Sequence, residues 1–361
     1  MLEIFEASTR VISGTGAVEA LGQLEAKRLL LVTDPYFYEN GVAAQVAAGA
    51  KAEQVQYFSD VQPDPSVELA ARGTAVLKAF GPDLLVALGG GSAIDCAKAM
   101  LYFSGSQARF VAIPTTSGSG SEVTDFSILS HQGVKHPLVD SRLRPEMAIL
   151  DSNLLAKLPH TLIADAGFDV LAHALEALVA TGSGMITDCL AKEAFCAVYA
   201  LLPASYGGKV QVRQKIHTAA TMAGMAFTQA GLGLCHAMAH SLGGMFHVPH
   251  GRLNAILLPA VIGCNAHAVG EKYARLAAAA GIGGSAQSIG VRNLKNALIR
   301  LRRELNMPET LREAGVDIRL LRRSTDALVE ATLADPCCAS NPLKVEGFMV
   351  RKILEEVAGR G

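Results

Sequence analysis

The sequence predicts an α/β domain built on a parallel sheet, followed by an all-helical domain. Three observations carry that prediction. Up to about residue 150, short β-rich runs alternate with helical stretches, the pattern of a parallel sheet covered on both faces. After Asp151 the strand signals stop, and long Ala/Leu/Glu/Lys segments with helical spacing take over. A length of 361 residues exceeds one comfortable small core, so two domains, 1–150 and 151–361, are expected.

The elements follow in order. Residues 1–14 carry Glu3, Glu6 and Arg10 among apolar residues; they lack the charge order of a signal peptide and read as a first strand. RLLLVT (28–33), Gln54–Phe58, LLVAL (84–88) and FVAIP (110–114) read as further strands, separated by helical segments such as 41–52 and 67–79. Helices are expected over 163–180, 188–202, 212–228, 271–280, 294–305, 319–332 and 345–358.

Three strand ends run into loops suited to a dinucleotide. LLVAL meets Gly89-Gly90-Gly91-Ser92 and then a helical run. Such a turn offers bare backbone N–H groups and a positive helix end to a pyrophosphate, although its spacing is not G-x-G-x-x-G. Asp34 closes the strand 28–33, where a carboxylate accepts both ribose hydroxyls of NAD and repels a 2'-phosphate. The plainer reading is an Asp that opens a turn with Pro35. The third loop, PTTSGSGSEVT (114–124), is dense in hydroxyls and backbone donors, including Thr115, Thr116 and Ser119.

Composition narrows the function classes. Net charge is −1 with Lys and Arg scattered, which leaves no electrostatic footprint for nucleic acid or an anionic membrane. No uninterrupted run of eighteen apolar residues occurs; the densest, Ala255–Ile262, contains Pro259. A soluble, cytoplasmic protein acting on a small molecule is expected. The 7 cysteines form no C-x-x-C pair, so reduced, mostly buried thiols are expected, with Cys235 beside His236 the one whose position suggests sensitivity to oxidation.

The sharpest signal is histidine. Of 10 in the chain, four (His236, His240, His247 and His250) fall within GLGLCHAMAHSLGGMFHVPHG (231–251). Upstream, DAGFDVLAHALE (165–176) places Asp169 and His173 one helical turn apart, on one face. A lone histidine on an apolar helix is more often a core residue than a ligand. Asp169, His173, His236 and His250 together form a carboxylate and three imidazoles, a set suited to Fe2+ or Zn2+ with a position left open for substrate. His240, one turn beyond His236, is a candidate proton relay or nicotinamide neighbour, against the alternative of a packed helix histidine. For His131, His136, His160, His217, His247 and His267 a surface or packing role is expected.

These segments resemble the iron-containing (group III) alcohol dehydrogenase family. The resemblance covers essentially the whole chain, from Thr9-Arg10 and Gly14-Thr15-Gly16 through GGGSAIDCAKA (89–99), PTTSGSGSEVT and GFDVLAHALEA to the 231–251 signature and DPCCASNP (335–342). It implies a Rossmann-like sheet domain for NAD and an all-helical domain for metal and substrate, the dehydroquinate synthase-like fold. It implies Asp169, His173, His236 and His250 as metal ligands. As cofactor neighbours it implies Asp34, Gly90, Gly91, Ser92, Asp95, the Thr115–Ser119 loop and Lys135. The metal is expected to be Fe2+, with Zn2+ as the alternative, acting as a Lewis acid while hydride passes between alcohol and nicotinamide. Ser241 stands where the family often has Pro, Ala166 where it often has Thr, and Asp64 where Asn is frequent.

The signature variant looks most like propanol and ethanol dehydrogenases of propanediol or ethanolamine breakdown. Phe126, where family members acting on polyols tend to carry a polar residue, favours an apolar pocket for a short primary alcohol. The rivals are a glycerol- or 1,2-diol-type polyol dehydrogenase, a non-catalytic nucleotide- and metal-binding regulator and, more remotely, a dehydroquinate-synthase-like lyase. A homo-oligomer is expected, together with an aldehyde-producing or aldehyde-consuming partner enzyme. A bacterial microcompartment is the alternative location.

Overall fold

A computed structural model describes residues 4–131, 134–284 and 286–359. The chain forms two compact units, one of Glu6–Leu158 with Arg213–Gly224, the other chiefly of Pro159–Val212 and the chain from Met225 onward. A division by sequence alone at residue 150 does not separate the segment Arg213–Gly224, which belongs with the sheet.

The first unit holds strands β1 (Arg10–Ser13), β2 (Arg28–Thr33), β3 (Gln54–Phe58), β4 (Leu84–Gly89), β5 (Arg109–Pro114) and β8 (Met147–Leu150), all parallel, in the order β1-β8-β5-β4-β2-β3. Its helices are α1 (Pro35–Glu39), α2 (Val42–Gly49), α3 (Val67–Phe80) and α4 (Gly91–Ser104). The apolar strands bury both faces, and the two-residue period divides them between two layers. Leu30, Val32, Leu85, Ala87, Phe110 and Ala112 pack against α3 and α4 through Leu69, Leu77, Ile94 and Met100. Leu29, Leu31, Leu84, Val86, Val111 and Ile113 face the other layer, against Ala43, Val46 and Ala47 of α2.

Two features escape the sequence reading. The short strand β8, MAIL, pairs with both β1 and β5. Strands β6 (Phe126–His131) and β7 (Val134–Val139) form an antiparallel ribbon apart from the sheet, pairing Ser130 with Lys135. Strand β7, VKHPLV, contains Pro137 and lacks the alternation that marks a half-buried strand.

The second unit is helical: α5 (His160–Val179), α6 (Met185–Tyr206), the end of α7 (Arg213–Ala230), α8 (Leu234–Phe246), α9 (His250–Ala279), α10 (Gln287–Glu304), α11 (Ile318–Arg323), α12 (Thr325–Ala334) and α13 (Gly347–Val357). Helix α9 joins the expected apolar run 255–262 and helix 271–280 into 30 residues, with a kink at Val269. It is long and apolar enough to cross a membrane, but 67% of its most apolar window is buried in the protein, as in the core helix of a soluble fold. The helix expected over 319–332 is divided into α11 and α12 at Ser324.

Candidate metal centre and cofactor loops

Helix α5 carries Asp169, His173 and Glu176 on one face, at successive steps of four and three residues. Helix α8 adds His236 from its first turn, and α9 begins with His250. Ligand atoms of Asp169, His173 and His236 lie within 4.8 Å of one another. Nε2 of His250 lies 3.6 Å, and Nε2 of His236 3.9 Å, from Asp169 Oδ1. The His173 and His236 rings stack at 4.5 Å, and His250 stands 5.3 Å from His236. His250 reaches this position because Gly251 presses against the backbone of Asp165, where a side chain would collide.

The donor set fits a divalent borderline cation: one carboxylate oxygen and imidazole nitrogens converge in a buried space. Burial, reinforced by His173 and His240, holds the His236 ring well below its ordinary pKa, so it is the neutral imidazole that ligation requires. Its Nδ1 lies 2.6 Å from Glu176 Oε2, which fixes the proton on Nδ1 and turns the Nε2 lone pair toward Asp169. Backbone N–H groups of Gly233, Cys235 and His236 at the start of α8 also donate to Glu176. Burial nevertheless pushes its carboxyl up to about 7. Asn254, one turn after His250, donates to Asp169 Oδ1 at 2.8 Å. Glu176 and Asn254 have no assigned role in the sequence reading, although their helical stride from Asp169 and His250 marks both.

His240 lies beside this cluster, its ring stacked on His250 at 5.1 Å. Its Nδ1 is 2.8 Å from Asp335 Oδ2, so Asp335 orients the imidazole. Burial alone would raise the Asp335 pKa, but the hydrogen bond and charge of His240 outweigh it and leave the carboxylate below its ordinary range. Cys337 joins His240 and Asp335 within 4.8 Å, yet burial and the Asp335 charge hold its thiol protonated. Cys235, whose place beside His236 suggests sensitivity to oxidation, is buried with its thiol toward Asn254, and burial together with the Glu176 charge keeps it protonated. His247 ends α8 in the left-handed conformation, with φ of 55°.

In the sheet unit, the carboxyl ends of β2, β4 and β5 are neighbours, with Thr33 opposite Leu88 and Gly89 opposite Pro114. Three of the sequence-predicted segments meet there. Gly90 starts α4 with no side-chain cap, which leaves the first-turn N–H groups of Gly91 and Ser92 suited to an anion. A Cβ on Gly91 would lie 2.9 Å from Ser119 Oγ and one on Gly90 3.3 Å from Thr116 Oγ1, while Thr115 N–H donates to the Gly89 carbonyl at 2.9 Å. Asp34 does open a turn with Pro35: its Oδ1 caps α1 through the N–H of Phe37 at 3.1 Å, and its Oδ2 lies 3.7 Å from where a Cβ on Gly89 would stand. Asp95 is instead buried in the second turn of α4, accepting from Ile128 N–H, and burial raises its carboxyl to about 6. Lys135 lies on the ribbon, its ammonium 2.7 Å from Asp64.

A parallel sheet with an uncapped glycine turn, and a helical unit with a buried carboxylate–imidazole cluster, are compatible with an oxidoreductase that uses a metal and a dinucleotide. The family model for iron-containing alcohol dehydrogenases matches residues 8–152, and that for the C-terminal part of the Fe-containing alcohol dehydrogenase family matches 163–358. The chain belongs to the iron-containing alcohol dehydrogenase family, which implies iron and NAD(H) as its cofactors. It is 38% identical over 371 residues to the 1-propanol dehydrogenase PduQ of Citrobacter freundii, covering 99% of this chain and 100% of that protein. It is 36% identical to an NADPH-dependent butanol dehydrogenase of Clostridium saccharobutylicum, over 95% of this chain and 94% of that one. The solved structure of a 1,3-propanediol oxidoreductase superposes with a TM-score of 0.93 at 30% identity, covering 99% of this chain and 100% of that one.

Proposed function

We propose that this oxidoreductase interconverts a short, unfunctionalised primary alcohol and its aldehyde, with propanol/propanal or ethanol/acetaldehyde as the pair. The observation that carries the chemistry is the buried cluster of Asp169, His173 and His236, with His250 at its edge. In this reading those four residues hold the ion. A divalent cation bound there supplies Lewis-acid stabilisation of negative charge on the substrate oxygen. Glu176 keeps the His236 proton on Nδ1, so Nε2 remains a donor. Asp335 holds His240 in the tautomer whose Nε2 is free to exchange a proton with the reacting hydroxyl. Asp34 accepts the ribose hydroxyls, the Gly90–Ser92 turn takes the pyrophosphate, and Thr115, Thr116, Ser119, Asp95 and Lys135 shape the cofactor's surroundings.

Support for a short-chain substrate comes from the end-to-end similarity to a 1-propanol dehydrogenase and from the apolar Phe126 at the start of β6. The likeness to a 1,3-propanediol oxidoreductase favours a polyol as the second reading. Initial rates with ethanol, propanol, propane-1,2-diol and glycerol separate the two. The highest kcat/KM is expected with propanol, and a higher value with either polyol would reverse the assignment. We place the enzyme in the cytoplasm as a homo-oligomer alongside an aldehyde-producing or aldehyde-consuming enzyme, with a microcompartment as the alternative site.

A further inference from the structure

The first turns of α7 belong to the sheet unit, and one face of them is fitted to the loop that follows β5. His217, Thr221 and Gly224, at steps of four and three residues, line that face. Nδ1 of His217 lies 3.0 Å from Ser117 Oγ, and Thr221 Oγ1 donates to Glu122 Oε1 at 2.6 Å. A Cβ on Gly224 would stand 3.0 Å from Gly120 Cα and 2.9 Å from Val123, so only glycine lets the helix lie this close to the loop. Thr218, beside His217, pairs its hydroxyl with that of Ser13 at 2.8 Å.

His217 is the residue on this face that packing alone does not explain. It is 1% exposed; the Pro114 carbonyl lies near its ring, but Nε2 makes no well-aligned hydrogen bond among the described residues. A buried ring nitrogen left in that state costs stability that an apolar side chain of similar volume would not lose. The return for that cost is the bond to Ser117. This serine sits between Thr116 and Ser119, whose hydroxyls face Gly90 and Gly91. Burial keeps the imidazole neutral, so one fixed tautomer sets the direction of the Ser117 hydroxyl.

We propose that His217 is a positioning residue for the cofactor: through Ser117 it holds the 115–119 loop in the shape that receives NAD(H). The inference rests on reading that loop as the cofactor loop. It predicts that cofactor affinity, not the metal and not the chemical step, depends on His217. The Asn amide places a polar group close to where imidazole Nδ1 lies, so His217→Asn should preserve the bond to Ser117 and His217→Leu should abolish it.

The test is direct titration of the full-length protein with NADH, followed by fluorescence, together with metal analysis and steady-state kinetics. His217→Leu should raise the NADH Kd and KM about 10-fold with bound metal and kcat nearly unchanged, and His217→Asn should restore most of the affinity. Ser117→Ala should reproduce the Leu phenotype and add little to it in the double variant. Should His217→Leu fail to fold, Ser117→Ala and His217→Asn carry the same comparison. Gly91→Val, which sets a side chain against Ser119, serves as the control for the loop itself. Wild-type NADH affinity in His217→Leu or Ser117→Ala, while Gly91→Val loses binding, overturns the role of His217 and leaves the loop reading intact. Undiminished binding in Gly91→Val overturns the loop reading and the inference with it.

Discussion

The candidate metal cluster and the candidate cofactor loops are built by opposite means. The cluster is made of side chains: Asp169, His173 and His236 are buried, and Glu176, Asn254 and the backbone of α8 hold them in place. The loops are made of backbone and small hydroxyls, with Gly90 and Gly91 against Thr116 and Ser119. A side-chain site fails when one donor is removed. A backbone site fails when bulk is added, and it responds more mildly to the loss of a single polar group.

The largest expected effect lies in the cluster. Replacing His236 or His250 by Ala removes a donor, so bound metal and activity should fall together while far-UV circular dichroism keeps the helical signal. Full metal occupancy by elemental analysis in both variants would assign the wrong histidines. The next effect is at His240, beside the cluster but bonded to Asp335. His240→Ala should keep the metal and bind NADH yet lose roughly 10- to 1000-fold in turnover, with a flattened limb in the pH–rate profile. Wild-type turnover and pH profile would make His240 a packing residue, and loss of metal would make it a ligand.

The loops should respond more gently. Asp34→Gly should narrow the preference for NADH over NADPH by about 1 to 3 kcal/mol, and an unchanged ratio would leave Asp34 as the cap of α1 alone. The last expected effect is a pH dependence of stability, which leaves activity at neutral pH untouched. His217 has its pKa lowered to about 4, first by burial, with the Pro114 carbonyl and Asp151 opposing. A depressed histidine stabilises the fold fully above the unfolded value near 6.5, and that contribution is lost as pH falls toward 4. At pH 5 the loss is on the order of 2 kcal/mol. Denaturant melts at pH 7 and pH 5 should show a drop that is smaller by that amount in His217→Asn; an equal drop in both proteins would remove His217 as its source.

The same contrast explains what could be read from the sequence. Asp169 and His173 are visible because helical stride alone puts them on one face, and β2 and β4 are visible because strands buried on both faces must be continuously apolar. Glu176 shares that stride but reads as an ordinary helix carboxylate until α8 brings His236 against it. Asp335 and His240 are 95 residues apart, and Ser117 and His217 are 100 apart, so only tertiary packing pairs them. The ribbon β6–β7 is hidden because Ser, Lys, His and Pro break up its apolar residues, and helix α7 carries no local sign that its first turns belong with the sheet.

Iron-dependent transfer of hydride from NADH to a short aldehyde is the reaction proposed for this enzyme. It is tested most directly by purifying the protein anaerobically, removing metal, and following NADH oxidation with propanal before and after adding Fe2+ or Zn2+. Negligible turnover is expected without metal, with recovery on adding Fe2+ and propanol formed in equal amount to the NADH consumed. Equal turnover of the metal-free protein, recovery with Zn2+ but not with Fe2+, or no propanal-dependent NADH oxidation with either ion at full metal occupancy would contradict an iron-dependent hydride transfer.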